Sequence, residues 1–196
     1  WKTSRGVLDG IKQLVKMAIA GRRFLDGAVF SAHWIVDGLD DASCRAAVAR
    51  LRSVLQPYGA EVPATVPTVA NAMPFMPLYN VRSPLGERWV PIHGLLPFSR
   101  VDAFRADLAR YYAEHEAEMK RLKIRYGAMF MTVATNAFLY EPVFYWEDGY
   151  NVAQSRLMPE GYQATLPQFP ENPEGRALVD KMKHGIADIF QRHGAA

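Results

Sequence analysis

The sequence predicts an α+β domain in which helices cover one face of an antiparallel sheet. Two strand–helix–strand patterns follow each other, roughly over 28–66 and 88–134, and an apolar hairpin follows the second. This order is typical of split βαβ units of ferredoxin-like type. With 196 residues, of which 49% are apolar and 22% charged, the chain can bury one sizeable core. We therefore predict a single domain over 1–196.

The first half carries two amphipathic helices and two strands. Asp40 or Asp41 caps the second helix, and the apolar stripe of that helix includes Cys44, which we expect to be an inert core thiol. Pro63 restricts the second strand to a sheet edge or a strand end. The predicted helices cover 3–24 and 41–56, and the predicted strands cover 28–37 and 61–66.

The strand–helix pattern restarts after a proline-rich connection over 66–87, which carries too many large apolar groups for a solvated linker. Ser99 and Asp102 form a predicted capping box at the start of a long helix. Residues 135–137 separate two apolar runs as a tight hairpin, and Gly194 ends the last helix. The predicted strands cover 88–98, 127–135 and 138–146, and the predicted helices cover 100–124 and 174–193.

A long segment between the hairpin and the last helix has no hydrophobic period. Residues 147–173 contain four prolines, so we predict a structureless loop. A loop of this length inside a domain is commonly a binding loop or a lid.

Charge, cysteine content and hydropathy exclude several function classes. The net charge of +3 is spread along the chain and is a weak basis for nucleic-acid binding. The single cysteine cannot form an intrachain disulfide and is ordinary for a reducing compartment, so we expect a cytoplasmic protein. No apolar run approaches the ~18 residues of a membrane span. Because position 1 is Trp rather than Met, we expect the chain to be part of a longer protein.

Most motifs with a known chemistry are missing. No G-x-G-x-x-G follows a strand, and neither G-x-x-x-x-G-K-[ST] nor G-x-S-x-G occurs. His115 and Glu116 begin like a zinc-binding helix, but Met119 stands where the second histidine should be, so we predict no metal site. The cations around 120–125 are typical of a solvated helix end.

His93 is the first candidate for a functional side chain. It stands in the segment WVPIHGLLPF, before Gly94 and between two prolines, so its strand is interrupted. Glycine next to it lets a ligand or another backbone approach closely. The alternative is a structural histidine that forms a hydrogen bond at a bulge.

Glu141 is the second candidate, because it lies inside the apolar and aromatic run FLYEPVFYW. Burying this carboxylate without a partner would cost several kcal/mol. It therefore needs a partner such as Arg82, Arg88 or His93. A structural ion pair and a catalytic pair both remain open.

Alternation along the same run separates its two tyrosines. Tyr140 and Tyr145 point to opposite faces of the strand, and Tyr145 shares its face with Glu141. We predict that His93, Glu141 and at least one of the two tyrosines converge on one concave surface with the 147–173 loop beside it. The alternation favours Tyr145 for this shared face.

The segments WVPIHGLLPFS, FLYEPVFYWED and ALVDKMKHGIADIFQRHG, in this order, resemble the C-terminal, substrate-side domain of FAD-linked oxidases. The similarity is to the vanillyl-alcohol oxidase and D-lactate/glycolate dehydrogenase type and covers about 3–196. It implies a cap domain whose antiparallel sheet lies over the isoalloxazine ring, while a separate N-terminal domain holds most of the FAD. The metal-ligating run G-H-x-G-D-G-N-x-H of the dehydrogenase branch is absent here, which leaves the phenol or alcohol branch open.

The resemblance implies a flavoprotein that oxidises a phenolic, alcohol or 2-hydroxy acid substrate by hydride transfer to FAD. His93 would act as the base, and Glu141 would orient it or bind a substrate hydroxyl. Tyr145 is expected to be the third catalytic residue, and the residues expected to bind the substrate are Tyr140, Arg82 and Trp146. The expected partners are a small-molecule substrate and the FAD-binding domain of the same protein, and a homo-oligomer is left open. The isolated chain is expected to be inactive.

The alternative function is that of a non-catalytic ferredoxin-like module that binds small ligands or assembles through a sheet face.

Overall fold

The computed structural model describes residues 27–62, 64, 67, 86–158 and 161–196. The chain divides into two compact units, Trp1–Met76 and Pro77–Ala196, whereas the sequence predicts a single domain over 1–196. The division falls inside the proline-rich connection. The predicted helix over 3–24 and most of the connection over 66–87 lie outside the described residues.

The first unit contains the helix α1, Asp41–Leu55, as the sequence predicts. Asp40 is its N-cap: the carboxylate accepts the Ser43 N–H at 2.7 Å, and the Ser43 hydroxyl accepts the Asp40 N–H at 3.3 Å. The predicted strand over 28–37 is wrong, since these residues form no strand. Alternation of side chains suits a strand, but a strand also needs a partner for its backbone groups.

The apolar stripe of α1 does not form a core. None of the residues of the helix is buried, and Cys44 is only partly covered, so the prediction of a core thiol is wrong. Of the predicted strand over 61–66, residues 61, 62 and 64 are described, and they form no strand. Glu61 instead pairs with Arg52, whose Nη2 lies 2.8 Å from its Oε1.

The second unit contains an antiparallel sheet, which confirms the predicted α+β class. The long strand β4 is central: β1 and β2 pair with it in line along one side, and β3 pairs with its other side. The helix α2 connects β2 to β3, so β4 lies between two strands joined by a helix, a split βαβ arrangement. The elements are β1 Arg88–Pro91, β2 Gly94–Pro97, α2 Val101–Arg121, β3 Arg125–Val133 and β4 Ala137–Trp146.

A proline on the central strand divides the predicted strand over 88–98 into β1 and β2. The register with β4 is the same on both sides of the break. At the break, Ile92 donates its N–H to the Pro142 carbonyl at 2.9 Å, but Pro142 has no N–H to donate in return. The ladder is therefore interrupted at Ile92 and His93 without any shift in register.

The core lies between one face of the sheet and two helices, α2 and the final helix α4, which covers Pro173–Arg192. Even-numbered strand residues such as Leu96, Tyr140 and Phe144 point into it. The Phe104 ring of α2 stacks on Phe190 of α4, with the ring centroids 4.3 Å apart. Burial of these large side chains is the main force that holds both helices on the sheet.

The start of α2 differs from the prediction. The chain enters the helix through a 3₁₀ turn, Phe98–Arg100, and Arg100 is the N-cap without a side-chain hydrogen bond. The predicted capping box of Ser99 and Asp102 is therefore wrong. Because Ser99 is inside the turn, it cannot be the extended residue that a side-chain cap requires.

The outer edge of β1 and β2 is closed to further strands. Leu95 exchanges two backbone hydrogen bonds with Ala196, at 3.0 and 3.1 Å, after Gly194 has ended α4 with a φ of +70°. Pro91 and Pro97 have the same parity as Leu95, so their nitrogens face the same edge and carry no N–H. Prolines of this kind prevent edge-to-edge pairing.

The segment over 147–173 is more ordered than predicted. Its described residues contain the short helix α3, Val152–Leu157, and a 3₁₀ turn, Gln163–Thr165. Asn151 and Gln154 form a capping box at the start of α3. The prolines break the hydrophobic period that the sequence analysis relies on, but local caps still support short helical turns.

Asp148 anchors this segment to the sheet and to α4. Its carboxylate is fully buried and lies 3.2 Å from Nη1 of Arg88. It also accepts hydrogen bonds from Nε1 of Trp146 at 3.1 Å and from the Asn172 N–H at 2.8 Å. Nε of Arg176 lies 3.6 Å away. The charge is buried, but these contacts satisfy it.

Gly94→Ala is expected to destabilise the second unit by about 1–3 kcal/mol, because an added methyl group overpacks a filled core. A Cβ at this position would lie 2.8 Å from Cδ1 of the core residue Phe190. Chemical denaturation of the wild type and of Gly94→Ala measures the loss in unfolding free energy. Gly127→Ala is the matched control, since a Cβ at that strand position meets nothing within 4 Å. Equal stability of Gly94→Ala and the wild type would contradict the close approach of Phe190.

The contribution of Asp107 to stability is expected to disappear in acid. Its carboxylate lies 2.9 Å from Nε2 of His193 and also contacts Arg110. The hydrogen bond with His193, and then the contact with Arg110, hold the pKa of Asp107 below its usual 3.8. Because the folded-state pKa is depressed, the stabilisation is complete above the unfolded pKa and is lost as pH falls through the folded one.

Unfolding free energies of the wild type and Asp107→Asn, measured from about pH 6 down to about pH 2, test this linkage. The difference between the two proteins should be constant in the upper part of the range and shrink below about pH 4. A difference that does not change with pH would show that the carboxylate charge contributes nothing.

Candidate functional site

The face of the sheet opposite the helical core carries the candidate site. We define the outer face as the odd-numbered residues of β1, β2, β3 and β4 together with His93. The register places these residues in rows across the strands, whereas even-numbered residues such as Leu96, Tyr140 and Phe144 point into the core. The outer face is mainly apolar, and its ionisable side chains are therefore conspicuous.

His93 and Glu141 lie beside each other on the outer face. The continuous register across the break places them opposite each other on neighbouring strands. Nδ1 of His93 lies 3.9 Å from Oε2 of Glu141, with the two side chains 64% and 17% exposed. At this distance the contact is electrostatic and too long for a hydrogen bond.

The pairing identifies the partner that the sequence analysis left open for Glu141. Arg88 is not that partner, because it forms its ion pair with Asp148 on the other side of the sheet. Arg82 lies outside the described residues. His93, the third named alternative, is the one that lies within ion-pair distance.

Tyr145 shares the outer face with this pair but does not contact it. Tyr145 lies four positions after Glu141 on β4, which corresponds to about 14 Å along the strand. Cζ of Arg125 lies 5.7 Å from the centroid of the Tyr145 ring. The Arg125 guanidinium also binds Glu87, with Nη2 at 2.6 Å and 2.7 Å from the two carboxylate oxygens.

Two of the predicted substrate-binding residues point away from the outer face. Tyr140 is buried in the core, and its ring meets Phe104 edge-on with the centroids 5.3 Å apart. Trp146 is also buried and donates its indole N–H to Asp148. Both are even-numbered residues of β4. Because side chains alternate along a strand, they lie on the face opposite to that of Glu141.

Two methionines extend the candidate site and were not singled out by the sequence analysis. Met129 lies opposite Glu141 on β3, and Met131 lies opposite Leu139. Both methionines are 52% exposed. The run GAMFMTVA is apolar on both faces, so only the pairing with β4 shows which of its side chains point outward.

The 147–173 segment leaves β4 at Trp146, five residues from Glu141, which corresponds to about 17 Å along the strand. Asp148 and Asn172 hold its two ends together at this position. The two ends of the segment predicted to form a lid are therefore held together at the end of β4.

Three of the basic residues over 120–125 take part in ion pairs, namely Arg121, Lys123 and Arg125. Arg121 lies 2.9 Å from Glu174, and Nζ of Lys123 lies 2.7 Å from Glu147. This arrangement fits the expected solvated helix end. Within the described ranges, no three His, Cys, Asp or Glu side chains are grouped to hold a metal ion. No helix of the described part is long and apolar enough to cross a bilayer.

Comparison of the chain with protein-family models, with curated proteins and with solved structures finds no match.

Proposed function

We propose that this chain is the substrate-side domain of an FAD-dependent oxidoreductase, which oxidises a hydroxylated small molecule by hydride transfer to the flavin. The observation that carries the proposal is the His93–Glu141 pair, which stands on a sheet face outside the helical core. A structural sheet has no need for an imidazole and a carboxylate at the centre of an apolar face.

The pair suits the proton that such an oxidation releases. Conversion of an alcohol to a carbonyl removes a hydride from carbon and a proton from the hydroxyl oxygen. Imidazole is the side chain best suited to take up that proton near neutral pH. Glu141, 3.9 Å away, would stabilise the imidazolium that forms.

The outer face also suits a flat cofactor ring. Gly127 lies on it and has open space where a side chain would stand. The neighbouring side chains are mainly apolar or aromatic, including Tyr145 and Trp89, and such groups pack well against a planar ring system. When bound, FAD supplies the hydride acceptor. The residues of this chain would hold the substrate and manage the proton.

The proposal requires a second domain for the diphosphate of FAD. No glycine-rich loop that could hold it occurs in the sequence. We propose that the FAD-binding domain belongs to the same protein and that this protein is cytoplasmic. The small-molecule substrate binds at the outer face.

Titration of FAD into the purified chain tests the division of labour between the two domains. We expect no sub-micromolar binding and no turnover, because this chain contributes only part of the contacts to the flavin. The longer protein encoded by the same gene should copurify with flavin and show its visible absorbance. Sub-micromolar binding by the chain alone would place the cofactor site here, and a colourless longer protein would favour the non-catalytic module.

A further inference from the structure

The outer face carries few charged side chains, and the carboxylate lies near its centre whereas the guanidinium lies at one end. Its ionisable groups are one carboxylate, one imidazole and one guanidinium, belonging to Glu141, His93 and Arg125, besides the phenol of Tyr145. Glu141 lies in the central row, between Met129 on β3 and His93 beside the break. A ligand that reaches His93 therefore also meets the carboxylate.

The guanidinium is already engaged. Arg125 forms hydrogen bonds with both carboxylate oxygens of the buried Glu87, and its Nε adds a third contact at 3.2 Å. It also lies against the Tyr145 ring, at the end of the outer face that is distant from Glu141. Recognition of a carboxylate by arginine uses the same donors that Glu87 occupies.

We propose that Glu141 makes the outer face selective for uncharged hydroxylated ligands and against carboxylates. The inference rests on the proposed function in that it takes the outer face as the substrate surface, and it narrows the three substrate classes to neutral phenols and alcohols. A hydroxyl group can donate to Glu141, whereas a ligand carboxylate would be repelled by it. The apolar part of the ligand packs against Met129 and Leu139.

Two ligands of similar shape and different charge test the selectivity. Benzyl alcohol and benzoate are titrated separately into the purified chain with carbon-13 labelled methionine methyl groups, and the Met129 and Met131 signals report binding. We expect benzyl alcohol to bind at least about tenfold more tightly than benzoate at low ionic strength.

Glu141→Gln is expected to strengthen benzoate binding by about tenfold and to change benzyl alcohol binding by less than about threefold. Glu174→Gln is the matched control, because this exposed carboxylate lies on α4 and pairs with Arg121. Glu87→Gln is a second variant. It leaves the His93–Glu141 pair in place and releases Arg125, so it should also strengthen benzoate binding.

The outcomes separate this inference from the proposed function. Equal affinities for the two ligands, or a preference that persists in Glu141→Gln, would overturn the selectivity and leave the oxidoreductase proposal standing. If neither ligand shifts the methionine signals at millimolar concentration, both the inference and the substrate surface are refuted. Selective binding by a protein whose longer form carries no flavin would refute the proposed function alone.

Discussion

If the proposed function holds, replacing His93 by alanine is expected to lower the turnover of the proposed flavoprotein by about 10²–10⁴-fold, the usual contribution of a general base. The imidazole is largely exposed and faces Glu141, so its removal leaves no cavity in the core. The fold and the flavin content should therefore stay normal. Steady-state kinetics of the wild type and the variant, normalised to bound flavin, give the ratio.

His184→Ala is the matched control for His93→Ala. His184 is an exposed histidine on α4 that hydrogen-bonds the Asp180 carbonyl at 2.8 Å, and its loss should leave turnover unchanged. Wild-type turnover in His93→Ala, with normal flavin content, would make His93 a structural residue and remove the proposed base.

Asp148→Ala is expected to lower the free energy of unfolding of the second unit by about 3–5 kcal/mol, because it leaves a buried cation without its counter-charge. Arg88 has little exposure and lies 3.2 Å from the carboxylate. The Trp146 indole and the Asn172 N–H also lose their acceptor. Thermal denaturation should show a midpoint lower by about 10 °C for a chain of this size.

Two further variants show whether the charge or the hydrogen bonds matter. Asp148→Asn keeps an acceptor for the Asn172 N–H but removes the charge, so it should lie between the wild type and Asp148→Ala. Asp180→Ala removes an exposed carboxylate of α4 that pairs with Lys183, and exposed pairs contribute about 0–1 kcal/mol. A loss below 1 kcal/mol in Asp148→Ala would contradict the anchoring role.

Helices with a strong apolar period and a clear end were predictable from the sequence. The final helix was predicted over 174–193 and covers Pro173–Arg192, and the long helix predicted over 100–124 covers Val101–Arg121. Both have a wide apolar face over many turns, which no other structure accommodates equally well. The strand predicted over 28–37 did not form, because a strand depends on a partner that the sequence does not specify.

The approach of His93 to Glu141 was predictable only on the condition that their strands are neighbours. Alternation assigned Glu141 and Tyr145 to one face and Tyr140 to the other, and the structure shows this division. The distance between Tyr145 and the pair follows from strand geometry. It was missed because a shared face does not imply contact.

The sequence by itself determined the α+β class, the two long helices of the second unit, the hairpin and the parity of each residue along β4. These properties depend on local hydrophobic periodicity, which is set by residues that are close together in the sequence. The tertiary structure decided the rest. The pairing of the strands places His93 next to Glu141. Pro142 interrupts the ladder and divides the edge strand into β1 and β2. Asp148 binds both Arg88 and the Asn172 N–H at the start of α4. Each of these contacts joins residues far apart in the chain, and only the register of the folded sheet brings them together.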